Sequence, residues 1–107
     1  MNNSGDLELR AVAQISLTTH ITPRVRSISL DINHDLKEIL FRAYTDGQLP
    51  ESAHEALMCA LTEISAAYPA EWKLQEEIIA LPEPEQMDYL RLVVYVRCED
   101  DWVDRSI

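Results

Sequence analysis

The clearest periodicity in the chain lies between Leu49 and Tyr68, LPESAHEALMCALTEISAAY. On a helical wheel centred on Leu57, the side chains of Ala53, Ala60, Leu61, Ile64 and Tyr68 fall within about 60° of it, the stripe that a half-buried helix turns to a core. Glu51, Glu55, Thr62 and Glu63 fall on the opposite side. Pro50 suits a first turn, Ser52 and Glu55 have the S-x-x-E spacing of a capping box, and Pro69 stops the helix at Tyr68. The other elements are read as packing against this helix.

Upstream, the odd positions Leu7, Leu9, Ala11, Ala13, Ile15 and Leu17 are apolar between polar neighbours, which predicts a half-buried strand with Val12 as the one exception. Residues 18–23, ending in Pro23, interrupt it. Ile28, Leu30 and Ile32 then alternate with Ser27, Ser29 and Asp31, a second strand that most simply returns antiparallel to the first. Leu36, Ile39, Leu40, Ala43 and Tyr44 recur at helical spacing behind Asn33, Asp35 and Glu38, and Asp46-Gly47 would end that helix. Downstream, residues 72–81 read as a strand and 82–88, with two prolines, as a loop. In residues 89–97, Leu90, Leu92, Val94 and Val96 line one face while Val93 and Tyr95 make the other apolar too, which predicts a central strand. The predicted order is β-β-α-α-β-β. As a fold class this is α+β in two layers: a largely antiparallel four-stranded sheet with two helices packed on one face. The length suits a single domain over residues 1–107, with 1–6 and 104–107 frayed.

Charge changes the picture. The net charge is −10. Residues 1–45 balance five acids (Asp6, Glu8, Asp31, Asp35, Glu38) against five bases (Arg10, Arg24, Arg26, Lys37, Arg42), so the excess lies in residues 46–107, with fourteen acids and four bases. Such a field repels nucleic acid and membrane surfaces and attracts a basic protein. Solubility is the plainer use of the same charge. A hydrophobic content of 47% excludes disorder. No apolar run is long enough for a membrane span and the first residues lack a secretory signal, which predicts a cytoplasmic protein with reduced thiols. Cys59 lies off the helix stripe and should be partly exposed; Cys98, at the end of the last strand, reads as a small core residue.

Candidate chemistry is sparse. His20, His34 and His54 lie in no metal-ligand spacing, no nucleophile motif occurs, and with only Gly5 and Gly47 available there is no phosphate cradle. The chain therefore predicts no enzyme, no metal site and no cofactor. What remains is carboxylates in three groups: Glu76 and Glu77; Glu83, Glu85 and Asp88; and Glu99, Asp100, Asp101 and Asp104 around Trp102. Together they are the predicted partner-binding surface, with Trp102 as an aromatic anchor. The outer face of the central helix, Glu51, Glu55 and Glu63, is the competing site.

Small size, acidity concentrated in the second half, this element order and the lack of catalytic groups resemble the immunity proteins of bacterial toxin–immunity systems, in particular those of contact-dependent growth inhibition and of colicin-like nucleases. The resemblance implies a stoichiometric inhibitor that binds a cognate toxin domain, often a basic nuclease, with acidic side chains standing in for the phosphates that the nuclease meets. It carries no motif and assigns no role to any residue. Two other readings fit the same residues: a self-associating or adaptor domain whose acidity serves solubility, and a small-molecule enzyme that pairs a histidine with a carboxylate.

Overall fold

A helix that buries Leu9, Ala13, Ser16 and Leu17 opens the fold. The structure, a computed structural model, describes residues 4–99. The elements are α1 (Ser4–Leu17), β1 (Val25–Asn33), β2 (Glu38–Thr45), α2 (Glu51–Ala66), β3 (Lys73–Ala80) and β4 (Leu92–Val96). The class is α+β, as the sequence predicts. The order, however, is α-β-β-α-β-β, and the sheet is mixed: in the spatial order β3-β2-β1-β4, β1 runs antiparallel to both its neighbours and β3 runs parallel to β2.

Two segments exchange the type that their pattern predicts. Residues 7–17 are helix α1 and not a strand, because positions 9, 13 and 17 satisfy a period of four as well as a period of two. Val12, the exception to the alternation, lies half-buried on the helix's inner side, while Leu7 and Ile15, which a strand would bury, are 64% and 74% exposed. Gly5 lets the start of α1 approach the next hairpin, since a Cβ there would run into the His34 ring.

Residues 38–45 are strand β2 and not a helix. Paired with β1, they place Ile39, Phe41 and Ala43 opposite Ile32, Leu30 and Ile28, so one sheet face buries Phe41, Ala43, Ile28 and Leu30 completely. That ladder of cross-strand contacts outweighs the helical stripe, whose Leu36 stands 65% exposed in the hairpin loop. The loop closes through Asn33, whose side-chain oxygen accepts the Leu36 N–H at 3.0 Å, and through Lys37 in the left-handed region at φ 54°.

Helix α2 buries Ala53, Leu57, Ala60, Leu61 and Ile64 of the predicted stripe, but it ends at Ala66, so Tyr68 lies beyond it and is half-buried. The capping box is not formed. The helix begins at Glu51 with Pro50 as its N-cap and no side-chain cap, and the Pro50 carbonyl accepts the His54 N–H at 3.0 Å. Both helices cover the face carrying Ile28 and Phe41, with α1 packed on α2 and on β4.

The two last strands lie at opposite edges, so the segment between them must cross the sheet. Residues 81–91 do so on the face away from the helices, over the small buried side chains Ser27 and Ser29. Leu90 N–H donates to Ser29 Oγ at 2.9 Å, and Tyr44 OH donates to the Asp88 carbonyl at 3.0 Å. This strap is the predicted proline loop. β4 is correspondingly an edge strand and not the predicted central one. Its two-sided apolar pattern reflects the core beside Val94 and Tyr95 and the cover that α1 gives it. Cys59 is exposed, as its wheel position predicts; Cys98 is exposed as well, beyond the end of β4, and not a core residue.

Candidate partner-binding face

Side chains on opposite faces of β3 meet different surroundings. The helix-side residues Leu74, Glu76, Ile78 and Ala80 look along a seam between β3 and α2, which leans toward α1 and leaves β3 largely uncovered. Two clefts lie in line there. One of about 510 Å³ is lined by Leu49, Glu51, His54, Ile78 and Ala80; the other, of about 240 Å³, by Met58, Leu61, Thr62, Leu74 and Glu76. Glu51 and His54 share the larger cleft, but no hydrogen bond or ion pair joins them. Among the described residues no group of three or more His, Cys, Asp or Glu is placed to hold a metal ion.

The predicted acids separate into those held by arginines and those facing solvent alone. Glu77, on the strap side of β3, accepts from Arg42 Nε at 2.8 Å, and Arg42 Nη1 donates to the Asp88 carbonyl at 2.8 Å, so one guanidinium joins the first two predicted groups. The Asp88 carboxylate itself is 3.9 Å from Arg42 and 92% exposed. Arg97 gathers Glu83 at 3.2 Å, Asp46 at 3.2 Å and Glu99 at 3.0 Å. Glu99 also binds the buried Arg26 through both its oxygens, at 2.7 and 2.8 Å, while Arg26 Nη1 donates to the Leu81 carbonyl at 2.6 Å. Charge-assisted pairs of this geometry are the strong ones. The Arg26 guanidinium hydrogen-bonded to Glu99 holds that carboxyl below the usual range, and Arg97 does the same to Asp46. Glu83 and Glu99 therefore fasten the strap and the end of β4 to the sheet. Asp100, Asp101, Trp102 and Asp104 lie outside the described residues.

Among the described residues, Glu76 and Glu85 have no cation within ion-pairing distance, and neither have Glu51, Glu55 and Glu63 on α2. Four of these five unpaired carboxylates belong to α2 and β3. The seam's apolar lining escapes a reading of the sequence because Met58 and Leu61 meet Leu74 only after β3 has taken its place beside β2. The acids on its rim, Glu51 and Glu76, fall in two separate groups in the sequence.

A family model of MafI2 immunity proteins matches residues 6–99, which span nearly the whole chain. The chain belongs to that family. No curated protein sequence matches it significantly. An immunity protein has a protein toxin as its partner, so the surface to explain is one that receives a protein. Among the described residues no helix is long and apolar enough to cross a membrane.

Proposed function

We propose that this immunity protein, acting in the cytoplasm as a single domain, neutralises a basic, nuclease-type toxin domain by one-to-one binding and not by catalysis. The observation that carries the reading is the uneven pairing of charge. Arginines occupy Glu77, Glu83 and Glu99, whereas Glu51 and Glu76 line one seam and have no ion-pair partner among the described residues. Unpaired carboxylates on ordered elements steer a basic partner, and the effect decays over about 8 Å at physiological salt. Nuclease surfaces that bind phosphate are basic, so acids in this arrangement would fill the same contacts.

The test is titration of the toxin domain encoded beside this chain's gene. The expected result is complete loss of toxin activity at one equivalent, with an association rate that falls several-fold between low and high salt. Inhibition far below one equivalent would make the chain an enzyme acting on the toxin. No binding at all would end the reading.

A further inference from the structure

β3 has β2 on one side and, among the described residues, no strand on the other. In a parallel ladder alternate residues turn both main-chain groups to the same neighbour. The Lys73 N–H donates to the Lys37 carbonyl at 3.0 Å and the Leu81 N–H to the Thr45 carbonyl at 2.8 Å, so the odd-numbered residues serve β2. The N–H and C=O groups of Leu74, Glu76, Ile78 and Ala80 consequently point out along the open edge. These are the same residues whose side chains line the seam with α2.

Proteins blunt exposed edges by keeping them short, by bulging them, or by placing proline or lysine on them. β3 is eight residues long, holds an unbroken register against β2, contains no proline and carries its one lysine at its first position. Its middle is acidic instead, with Glu76 on the seam side and Glu77 on the strap side. Two copies of β3 pairing antiparallel about their middle would set Glu76 or Glu77 against its own copy, and like charges directly opposite are destabilising. The same charges favour a strand bearing cations.

We propose that this edge receives an extended segment of the toxin as a fifth strand, one in which apolar residues are flanked by lysine or arginine. The proposal rests on the immunity reading above. An added strand lies about 4.8 Å outside β3, where its helix-side residues enter the clefts over Met58, Leu61 and Ile78. Cations on its helix-side face meet Glu76 at the middle of β3 and Glu51 beside the larger cleft. Main-chain bonds supply affinity and the clefts supply selectivity, as in other strand-addition complexes.

Substitutions at position 76 test this with the inactive toxin domain encoded beside the gene as the probe. Glu76→Pro removes an outward N–H that no neighbour uses and should leave the fold intact, but it should weaken toxin binding at least ~100-fold. Glu85→Lys, on the strap, should change binding by less than about threefold. Unchanged affinity of a folded E76P protein overturns the proposal, as does a loss confined to E85K. Should E76P fail to fold, Glu76→Lys keeps every main-chain group and must still weaken binding about tenfold; unchanged binding there overturns it equally. A free protein that sediments as a dimer, and becomes monomeric in E76P, would assign the edge to a second copy and overturn it too. Failure of the wild-type chain to bind the toxin domain is a different result, for it removes the immunity reading itself.

Discussion

β4, at one edge of the sheet, is five residues long, its register against β1 shifts between Ile28 and Ser29, and Arg10 of α1 donates to its Val93 carbonyl at 3.0 Å. Ion networks flank it at both ends. Before it, Arg91 binds Asp6 at 2.7 Å and Asp31 at 3.0 Å; after it, Arg97 gathers Asp46, Glu83 and Glu99. β3, at the other edge, is eight residues long in unbroken register, and Glu76 at its centre has no ion-pair partner among the described residues. One edge is closed by the protein's own helix and arginines. The other keeps outward main-chain groups and two clefts, and of its two central acids Arg42 holds Glu77 while Glu76 is unpaired among the described residues. Ion pairs thus hold the β4 edge at both ends, whereas on β3 a single pair, Arg42–Glu77, lies on the strap side and the helix side has none among the described residues.

The largest expected effect breaks the closed side. Arg26 is only 2% exposed, and Glu99→Ala would leave its charge buried beside a single carbonyl. Loss of one partner from such a pair should cost about 3 kcal/mol, read as a drop in the denaturation midpoint; a drop under about 0.5 kcal/mol would mean the β4 edge is not held by this network. Slightly smaller is Leu61→Ala at the floor of the seam, where Leu61 is 5% exposed. Lost burial and a cavity open to the cleft should cost about 2.5 kcal/mol, and an unchanged thermal midpoint would show that the seam has no packed floor.

Two prolines sharpen the contrast within β3 itself. Gln75→Pro removes an N–H that faces β2 and should cost about 2 kcal/mol, whereas Glu76→Pro removes one that faces outward and should cost under about 1 kcal/mol. Equal costs in urea titrations would show that the edge is not open in the register described. A weaker effect is acid sensitivity. Folding lowers the pKa of Asp6 through its hydrogen bonds to Arg91, of Asp46 through Arg97 and of Glu99 through Arg26. Their contribution is present in full above the unfolded carboxylate value near about 4 and is lost as pH falls through the folded values below it. All three belong to the β4 side, so an E99A protein should lose part of this acid dependence; an acid dependence equal to that of the wild type would show that Glu99 does not contribute to it.

The second half of the molecule was more legible in the sequence than the first. α2, β3, the proline strap and β4 stand where periodicity and prolines put them, because each carries one dominant pattern. α1 and β2 depart from their predicted types for a common reason: Leu9, Ala13 and Leu17 fit two periods at once, and Ile39 and Leu40 supply a helical pair inside what is an alternation of Ile39, Phe41 and Ala43. A hairpin turn that relies on Lys37 in a left-handed conformation gives no glycine signal. The candidate site was legible as charge but not as place. Nothing local distinguishes Glu83 and Glu99, which arginines occupy, from Glu76, which none of the described arginines reaches. That distinction depends on strand order, which puts β3 at an edge and brings Arg97 beside Glu83.

Amide hydrogen exchange on the chain alone and in complex with the toxin domain tests the central claim most directly. In the free protein the amides of Glu76 and Ile78 should exchange quickly while those of Gln75 and Glu77, bonded to β2, are protected. In the complex, Glu76 and Ile78 should slow at least tenfold, roughly the change that one stable hydrogen bond produces, with the amides of β4 unchanged. Protection that appears along β4 or the strap and leaves Glu76 and Ile78 exchanging as before would contradict the account.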